Sequence, residues 1–269
     1  MLTIFSIPKP FHNNITVIQE NAIQSWKNIH PECEIYLFGD EDGVEEYAKK
    51  YCISHIKEVP RNEFGTPILS DVFEKIQKLA NNNFICFVNT DIILIPDIIN
   101  AVLLVKNLPE FLMVGRRTNI ECHMRIDMSY NANKDILAYI EREGTPGRPD
   151  QIDCFIFPKG QIKKMPPFAV GRAGWDNWLI ADTRRRKIPV IDGSSAFHVI
   201  HQNHDYGHIK VRTNNSWEGP ETDRNRELMG GLKNLYNIDD ASWILTNNGL
   251  KRKIPGLGDI YRNIWRSLK

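Results

Sequence analysis

The sequence lacks the paired cysteines of a disulfide-linked or cysteine-ligated zinc protein. Its five cysteines are odd in number and widely spaced, and no two of them form a C-x-x-C pair. This pattern excludes the common cysteine-based zinc motifs and favours a reducing compartment, since secreted domains usually carry an even number of cysteines at regular spacings. We therefore expect a cytoplasmic protein.

Long apolar runs and a strong net charge are also missing. No segment approaches the roughly 18 apolar residues needed to span a bilayer, and the 269 residues carry a net charge of only +1. A nearly neutral chain has no overall basic field for nucleic acid. Residues 1–8 have no basic segment before the apolar stretch, so they predict a first strand and not a signal peptide.

Two glycine-rich phosphate-binding motifs are absent as well. No G-x-G-x-x-G follows the first predicted strand, and no G-x-x-x-x-G-K-[S/T] occurs anywhere in the chain. These absences argue against a dinucleotide fold and against a P-loop. If the protein binds a nucleotide, the phosphates need another counter-charge, and a metal ion at Asp91 is the candidate.

Strand and helix patterns alternate along the chain. They predict strands at 2–7, 34–38, 55–59 and 84–88 and helices at 15–26, 44–51 and 68–79, with Asn13-Asn14 capping the first helix and Thr66-Pro67 opening the third. The second half predicts strands at 111–114 and 153–157, one or two strands at 189–200, and helices at 135–143, 176–186 and 221–236. This alternation is typical of an α/β fold with a mostly parallel central sheet flanked by helices. We expect one domain over residues 1–245 and a C-terminal helical appendage over residues 246–269.

Asn89-Thr90-Asp91 is the most informative motif in the sequence. It directly follows the apolar run 84–88, so it should lie at the carboxyl end of a buried strand, where open α/β sheets bind ligands. A buried Asp91 needs a partner, and a divalent cation that bridges the phosphates of a nucleotide would provide one. Turn formation or helix capping is the alternative role for such short polar residues.

A second cluster covers residues 171–178, with Asp176 at the expected start of a helix. Its sequence is Gly-Arg-Ala-Gly-Trp-Asp-Asn-Trp, and the two glycines allow a closely approaching loop. A carboxylate at a helix N-terminus stays ionised, while the neighbouring Trp175 would desolvate it, which suits a base that takes a proton from a hydroxyl. The alternative is an ordinary N-cap aspartate beside core aromatic residues.

Four of the eight histidines lie close together, at positions 198, 201, 204 and 208. Residues 205–207 (Asp-Tyr-Gly) interrupt this segment, so one regular helix carrying an H-x-x-x-H zinc pair is not expected. One imidazole added to Asp91 and to phosphate oxygens would suit a manganese-like cation. The clustering favours a functional role for at least one of the four.

Three arginines and three aspartates are further candidates. Arg61, Arg116 and Arg117 suit phosphate or acceptor contacts, because guanidinium groups match oxyanions, although exposed arginines are common. Asp40, Asp71 and Asp153 lie at predicted strand or helix ends, where they could hold nucleobase, ribose or sugar hydroxyls or cap the element.

Residues 251–269 form a basic segment. They carry six basic side chains and one acidic side chain, a net charge of +5, and their apolar residues recur at helical spacing. Two roles are compatible with this pattern. The helix could pack on the domain with a solvated basic face, or it could make a peripheral contact with a partner or with the inner face of a membrane.

The order of these motifs resembles that of GT-A-fold glycosyltransferases, which use nucleotide-sugar donors. The similarity covers about residues 1–240 and is carried by IFSIPKPF at 4–11, RNEFGTP at 61–67, GWDNW at 174–178 and IHQNHDY at 200–206. These segments look like those of a bacterial-type group of such enzymes. The resemblance implies a Rossmann-like GT-A domain in which Asn89-Thr90-Asp91 matches a D-x-D motif, with Asn89 departing from it at the first position.

The resemblance also implies roles for individual residues. Asp91 would be the metal-binding carboxylate, His201, with His204 as the alternative, the late metal-binding histidine, and Asp176 the general base of an inverting enzyme. The cation would be Mn²⁺ or Mg²⁺. The donor site is expected to comprise Ile7, Asp40, Arg61, Asp71, Asn89, Thr90, Asp91, Arg117, Asp153 and Trp175.

We therefore expect an enzyme that transfers a sugar from a nucleoside-diphosphate sugar to a hydroxyl of a glycan or other acceptor, with inversion, in glycan or polysaccharide synthesis. Three alternatives remain open: a retaining glycosyltransferase, a sugar nucleotidyltransferase, and a catalytically silent module that binds sugar or nucleotide. A nucleotidyltransferase usually has a glycine-rich N-terminal loop with a basic residue, which this sequence lacks.

Overall fold

The computed structural model of the protein describes residues 1–122, 124–127, 132–204 and 218–268. Its strands are β1 (Leu2–Ser6), β2 (Glu34–Phe38), β3 (Ser54–Ile56), β4 (Phe84–Val88), β5 (Ile92–Leu94), β6 (Leu112–Ile120), β7 (Thr145–Pro146), β8 (Ile152–Pro158), β9 (Val190–Ser195), β10 (Val199–Gln202), β11 (Trp243–Thr246) and β12 (Gly249–Arg252). Its helices are α1 (Asn13–Lys27), α2 (Val44–Tyr51), α3 (Leu69–Leu79), α4 (Asp97–Val105), α5 (Ala132–Glu143), α6 (Trp175–Arg185), α7 (Pro220–Met229) and α8 (Leu257–Ser267). His208 of the histidine cluster lies outside the described residues.

One sheet forms the centre of the protein. Its main path runs β12-β11-β9-β6-β8-β4-β1-β2-β3. Five of the eight neighbouring pairs along this path are parallel, and β8 runs antiparallel to both of its neighbours, β4 and β6. The remaining antiparallel pair is the hairpin β11-β12. The predicted α/β class, with a mostly parallel central sheet and flanking helices, is confirmed.

Alternate side chains of the buried strands enter two separate hydrophobic clusters. In β4, Cys86 and Val88 belong to one cluster, while Ile85 and Phe87 belong to the other, as expected for a strand whose side chains alternate between its two faces. Helices α1 and α4 contribute to the first cluster, and α3 and α6 contribute to the second. Burial on both faces explains why these strands are continuous apolar runs in the sequence.

Two predicted helix starts are wrong, each for a local reason. Helix α1 begins at Asn13 itself, after His12, and no side chain caps its first turn. Helix α3 begins at Leu69, because Pro67 takes part in an extended bridge with Arg61 and therefore precedes the helix. Short polar residues and proline indicate that a helix starts nearby, but they do not fix its first residue.

One long predicted helix is shortened in the structure. The predicted helix at 221–236 ends at Met229, since Gly230 adopts the left-handed conformation, with φ 87°, that terminates many helices. Residues 189–200, for which the sequence allowed one strand or two, form the two strands β9 and β10, separated by a turn in which Ala196 donates a hydrogen bond to the carbonyl of Gly193. Strand β10 therefore leaves the main path and pairs with β5 and β6, which places His201 opposite Ile92, the residue after Asp91.

The close packing of β10 on β6 depends on Gly115. A Cβ atom added at this position would lie 2.5 Å from Val199 Cγ2 and 2.9 Å from Phe197 Cζ, both in buried side chains. We expect Gly115→Ala to lower the free energy of unfolding by about 1–3 kcal/mol, the usual cost of overpacking. Urea denaturation measures the change. Gly258→Ala in α8 is the matched control, since its added Cβ would approach nothing closer than 3.7 Å, and an equal loss in both variants would contradict this explanation.

The hairpin β11-β12 extends the central sheet, because β11 pairs with β9. The predicted division between residues 245 and 246 falls within β11, so strand residues on both sides of it belong to the sheet. Helix α8 turns its arginines toward the domain and most of its apolar side chains to solvent, with Trp265 half-buried, which is the reverse of the packed arrangement considered from the sequence. Across the described parts of the chain, no helix combines the length and the apolar character needed to cross a membrane.

Candidate functional site

A cavity of about 640 Å³ opens at the carboxyl ends of β1 and β4. It is lined by residues of the segment after β1, by Asn89-Thr90-Asp91 after β4, by Trp175 and Asp176 at the start of α6, and by His201 of β10. The carboxyl ends of parallel strands are the usual ligand-binding edge of an α/β sheet. The structure therefore brings residues from all three sequence clusters to one place.

Asp91, His201 and His204 form a compact group of side chains that can ligate a metal. One ligand atom from each residue lies within 4.8 Å of the others. His204 Nε2 is 3.0 Å from Asp91 Oδ2, and His201 Nε2 is 4.0 Å from the same oxygen. His201 Nδ1 lies 3.2 Å from Asn203 Oδ1, a contact that helps to orient the imidazole. Carboxylate oxygen and imidazole nitrogen are both suitable ligands for a Mn-like divalent cation.

The charge state of this group fits a cation. Burial alone would raise the pKa of Asp91, but the Lys9 ammonium and a hydrogen bond from His204 hold that pKa below its ordinary value, so the carboxylate is ionised. Burial lowers the pKa of His201, which keeps its imidazole neutral and able to ligate a metal at neutral pH. Asp91 Oδ1 is buried and accepts no hydrogen bond from the described residues. A buried oxygen of this kind calls for a partner, and a metal ion would supply one.

Lys9 belongs to this site, although no sequence pattern had marked it. Its Nζ lies 3.3 Å from Asp91 Oδ2 and 3.2 Å from His204 Nε2, so a positive charge sits beside the metal-ligating group. Gln19 fixes this segment by bonding the backbone N–H and carbonyl of Lys9 and by accepting a hydrogen bond from Thr90 Oγ1. A lysine directly after the first strand was the available signal, because that strand end borders the cavity.

The neighbouring Asp153 explains why residue 89 is an asparagine. Asn89 Nδ2 donates to Asp153 Oδ1 at 2.8 Å, and Arg117 Nη1 donates to Asp153 Oδ2 at 2.9 Å. A carboxylate at position 89 would face Asp153 without a proton to donate, and two ionised carboxylates in contact repel each other. The departure from D-x-D is therefore compatible with the local charges, in which Asp153 is one of several acidic groups on the cavity wall.

Placing an acidic residue at position 89 should destabilise the protein. In Asn89→Asp, a hydrogen-bond donor to Asp153 is replaced by a like charge, which we expect to lower the free energy of unfolding at neutral pH by about 1–3 kcal/mol. Thermal denaturation at neutral pH measures this loss. Asn89→Ser, which removes the amide without adding charge, is the control. A fully stable Asn89→Asp protein at neutral pH would rule out this account of Asn89.

Asp176 lies in the first turn of α6 and lines the cavity. Gly174 precedes it with φ 115°, a conformation that favours glycine. Burial raises the pKa of Asp176 to about 6, and the nearby charge of Asp153 adds to this shift, whereas backbone N–H groups oppose it. Its Oδ1 atom is buried and accepts no hydrogen bond from the described residues. These properties suit a carboxylate that accepts a proton from a hydroxyl near neutral pH.

The other residues predicted for the donor site do not all line the cavity. Ile7, Arg61 and Trp175 line the cavity, whereas Asp40 is not among the described residues that do so. Arg61 Nη2 donates to Asp40 and to Glu41, so Asp40 holds a guanidinium that lines the cavity. The same guanidinium keeps the pKa of Asp40 below its ordinary value. The indole of Trp175 packs against core aromatic rings at the start of α6.

Two residues singled out in the sequence lie elsewhere. Asp71 is exposed on α3, accepts a hydrogen bond from Ser70 at 2.9 Å, and is not one of the described residues lining the cavity. His198 Nδ1 lies 2.6 Å from Asp97 Oδ2, at the start of α4, and forms an ion pair there. Spacing alone could not separate His198 from His201, because the break between β9 and β10 decides which histidines reach Asp91.

An ion-pair network on the cavity wall was not apparent from the sequence. Arg172 Nη2 donates to Glu221 Oε2 at 2.6 Å, and Asn62 Nδ2 donates to Glu221 Oε1 at 2.7 Å. Burial opposes ionisation of Glu221, but the bonds from Asn62 and Arg172 hold its pKa below the ordinary value. These residues are far apart in the sequence, so no local motif marks them.

Comparison with known proteins gives similarity at the level of structure only. No protein-family model and no curated protein matches the chain. Among solved structures, the chain is similar to the mannosyltransferase PcManGT from Pyrobaculum calidifontis in complex with GDP-Man and Mn²⁺. The sequence identity is 8% and the TM-score is 0.49, over 85% of this chain and 68% of that one.

Two further solved structures are similar to this chain, one over most of its length and the other over less than half of it. Glucosyl-3-phosphoglycerate synthase from Mycobacterium tuberculosis, in complex with Mg²⁺ and UDP, matches at 12% identity and TM-score 0.48, over 86% of this chain and 80% of that one. TarS 1-349 from S. aureus matches at 13% identity and TM-score 0.35, over 45% of this chain and only 36% of that one. Because these identities and scores are low, we base the functional assignment on the side chains of the cavity.

Proposed function

We propose that this protein is an inverting glycosyltransferase that moves a sugar from a nucleoside-diphosphate sugar to an acceptor hydroxyl, in glycan or polysaccharide synthesis. One observation carries the proposal. A carboxylate and two imidazoles able to hold a cation share one region of the fold with a separate, half-buried carboxylate of raised pKa, and Asp91, His201 and Asp176 all line the same cavity. The cation-binding group is suited to neutralise a diphosphate leaving group, and the separate carboxylate is suited to act as a base.

The cavity also suits the proposed donor in size and in the polar side chains that line it. Small-molecule sites usually measure about 300–1,000 Å³, and this cavity, at about 640 Å³, falls within that range. Lys9, Arg61 and Arg117 line it and bring positive charge toward the phosphates, while Asn89 and Asp153 offer hydrogen-bonding groups to sugar or ribose hydroxyls.

Asp176 is the proposed general base. Its ionised carboxylate would accept the proton of the acceptor hydroxyl while the hydroxyl oxygen attacks the anomeric carbon. The bond between that carbon and the diphosphate oxygen breaks, and its electron pair leaves with the nucleoside diphosphate. Attack on the face opposite the leaving group inverts the anomeric configuration.

Asp91, His201 and His204 would hold the cation, Mn²⁺ or Mg²⁺. A bound divalent cation supplies electrostatic stabilisation of the diphosphate charge. Lys9 lies beside these ligands and would give the phosphate oxygens a second positive partner.

Donor screening tests the proposed activity. The protein is incubated with nucleoside-diphosphate sugars and Mn²⁺, beginning with UDP-linked and GDP-linked donors, and the melting temperature and the release of nucleoside diphosphate are measured. A donor that binds the native state should raise the melting temperature. Transfer to an acceptor with inversion, read from the anomeric configuration of the product, supports the proposal. Retention, release of pyrophosphate, or binding without any release would each identify one of the alternatives instead.

The rate of transfer should depend on the ionisation of Asp176. Because burial raises the pKa of this carboxyl to about 6, its basic form predominates only above that pH. We expect kcat/KM to rise as the pH increases through about 6 and then to level off. A steady-state pH profile measures this limb, and a rate that is constant from acidic to alkaline pH would exclude Asp176 as the base.

A further inference from the structure

Helix α8 presents an unusual apolar stripe to solvent. The stripe consists of Leu257, Ile260, Tyr261, Ile264 and Leu268, which are between 51% and 87% exposed. At 100° per residue, these positions fall within a sector about 100° wide on one side of the helix. A surface helix normally buries such a stripe in the core, so its exposure here requires an explanation.

The opposite face of α8 is the one that binds the domain. Arg266 is buried and makes two parallel hydrogen bonds of 2.7 Å with the carboxylate of Asp240, and its guanidinium lies 3.9 Å from the ring centre of Tyr236. Arg262 lies on the same side and donates to the carbonyl of Asp239 at 3.2 Å. These polar contacts hold the helix with its apolar stripe outward.

Exposed basic side chains lie beside the helix. A cavity of about 490 Å³ next to α8 is lined by Arg184, Arg185 and Arg252, which are exposed, and by Lys253. Three aspartates also line it, but Asp239, Asp240 and Asp259 are engaged in ion pairs with Lys253, Arg262 and Arg266. Ile254, which is 88% exposed, lines the same cavity and adds to the apolar surface. Exposed apolar groups next to cationic groups are the combination that binds an anionic lipid surface.

We propose that α8 and residues 252–256 form a docking surface for a membrane that contains anionic phospholipids. An 11-residue helix is about 16 Å long, so it would lie in the plane of the interface with its apolar stripe among the acyl chains. Tyr261 would reach the headgroup level, where tyrosine is enriched. Arg184 and Arg252 would contact lipid phosphates.

A second copy of the chain fits this surface less well. A standard protein interface uses about 20–30 residues on each side, whereas the exposed apolar surface of α8 and its connection comprises six. Two copies meeting at α8 would also bring their basic groups together, which costs energy by like-charge repulsion. A membrane provides both the apolar phase and the negative charge.

Vesicle flotation with the full chain tests the proposal. Vesicles of phosphatidylcholine alone are compared with vesicles that also contain phosphatidylglycerol. We expect the wild-type chain to bind the anionic vesicles. The triple variant Leu257→Ser, Ile260→Ser, Ile264→Ser should lower the partition coefficient by at least about tenfold. The double variant Arg184→Gln, Arg252→Gln should weaken binding several-fold. The control is Leu103→Ser, Leu104→Ser on α4, whose side chains are 41% and 48% exposed, and it should bind like wild type.

Several outcomes would overturn the docking surface. Failure of the wild-type chain to bind anionic vesicles would do so, as would equal binding by the triple variant. Light scattering that shows wild-type dimers, together with a monomeric triple variant, would assign α8 to a second copy instead. The substituted side chains are exposed, so the melting temperatures should stay close to wild type. Because flotation measures binding alone, its result does not depend on the proposed transfer chemistry.

Discussion

Asp176→Asn should reduce the rate of sugar transfer by about 10²–10⁴-fold, the usual contribution of a general base. Asparagine has nearly the same shape as aspartate, so the cavity and its other side chains should be retained, but the amide cannot accept the proton of the acceptor hydroxyl. We therefore expect kcat to fall while the dissociation constant for the donor changes by no more than about threefold. Steady-state kinetics and calorimetric titration of the donor measure the two quantities.

The same variant should be more stable than wild type near neutral pH, which separates loss of the base from misfolding. Burial raises the pKa of Asp176 from 3.8 to about 6. In the wild type, the protonated carboxyl therefore makes its full contribution to the free energy of unfolding below pH 3.8, and this contribution is lost as the pH rises through about 6. A pKa that is higher by about two corresponds to a loss on the order of 3 kcal/mol in the free energy of unfolding. The amide that replaces the carboxyl carries no charge at any pH, so the difference in melting temperature should grow with pH.

A control on the same helix makes this result specific. Asp182→Asn also neutralises a carboxylate of α6, but Asp182 pairs with Arg185 and is not among the described residues lining the cavity. Its transfer rate should match that of wild type. If Asp176→Asn were as active as Asp182→Asn, another group would have to take the proton. An inactive Asp176→Asn protein that also failed to bind donor would point to a damaged cavity.

The fold could be predicted from the sequence where burial determines the pattern. Strand β4 is buried on both faces, so all its residues are apolar and the run is recognisable without its partners. Helix ends were harder to predict, because they depend on backbone conformation and on distant contacts. Pro67, for example, belongs to an extended bridge, and Gly230 ends a helix that periodicity alone extends to residue 236. The orientation of α8 could not be predicted from the sequence either, since it depends on the bonds between Arg266 and Asp240.

The candidate site could be predicted where a functional residue lies at the end of an element. Asp91 follows β4 and Asp176 begins α6, and both positions are visible in the apolar and helical patterns. Lys9 was missed, because its contact with His204 spans 195 positions in the sequence. The pairing of Asn89 with Asp153 depends on β4 lying next to β8, and no local motif reports that neighbour.

Removal of the metal-ligating group should abolish transfer. In Asp91→Asn and in wild-type protein with excess chelator, we expect the rate to fall by about 10²–10⁴-fold, which corresponds to several kcal/mol of charge stabilisation. Unlike Asp176→Asn, Asp91→Asn should also weaken donor binding, because Asp91 would hold the cation that offsets the charge of the diphosphate. Calorimetric titration with Mn²⁺, and then with donor in the presence of Mn²⁺, measures the two steps separately.

Asp91→Asn alone does not separate loss of the metal from loss of stability, because it also removes the ion pair between Asp91 and Lys9, whose side chains are 11% and 26% exposed. Removing one partner of a fully buried pair costs about 3–5 kcal/mol. The cost is smaller for this partly exposed pair, but it would lower activity by destabilising the fold. His204→Gln leaves Asp91 and Lys9 in place and should weaken Mn²⁺ binding without that loss. His198→Gln is the matched control, since His198 pairs with Asp97 instead of Asp91, and it should bind Mn²⁺ like wild type. If His204→Gln retained Mn²⁺ affinity and the wild type kept its full rate in chelator, Lys9 and Arg117 would have to neutralise the diphosphate, and catalysis would be metal-free.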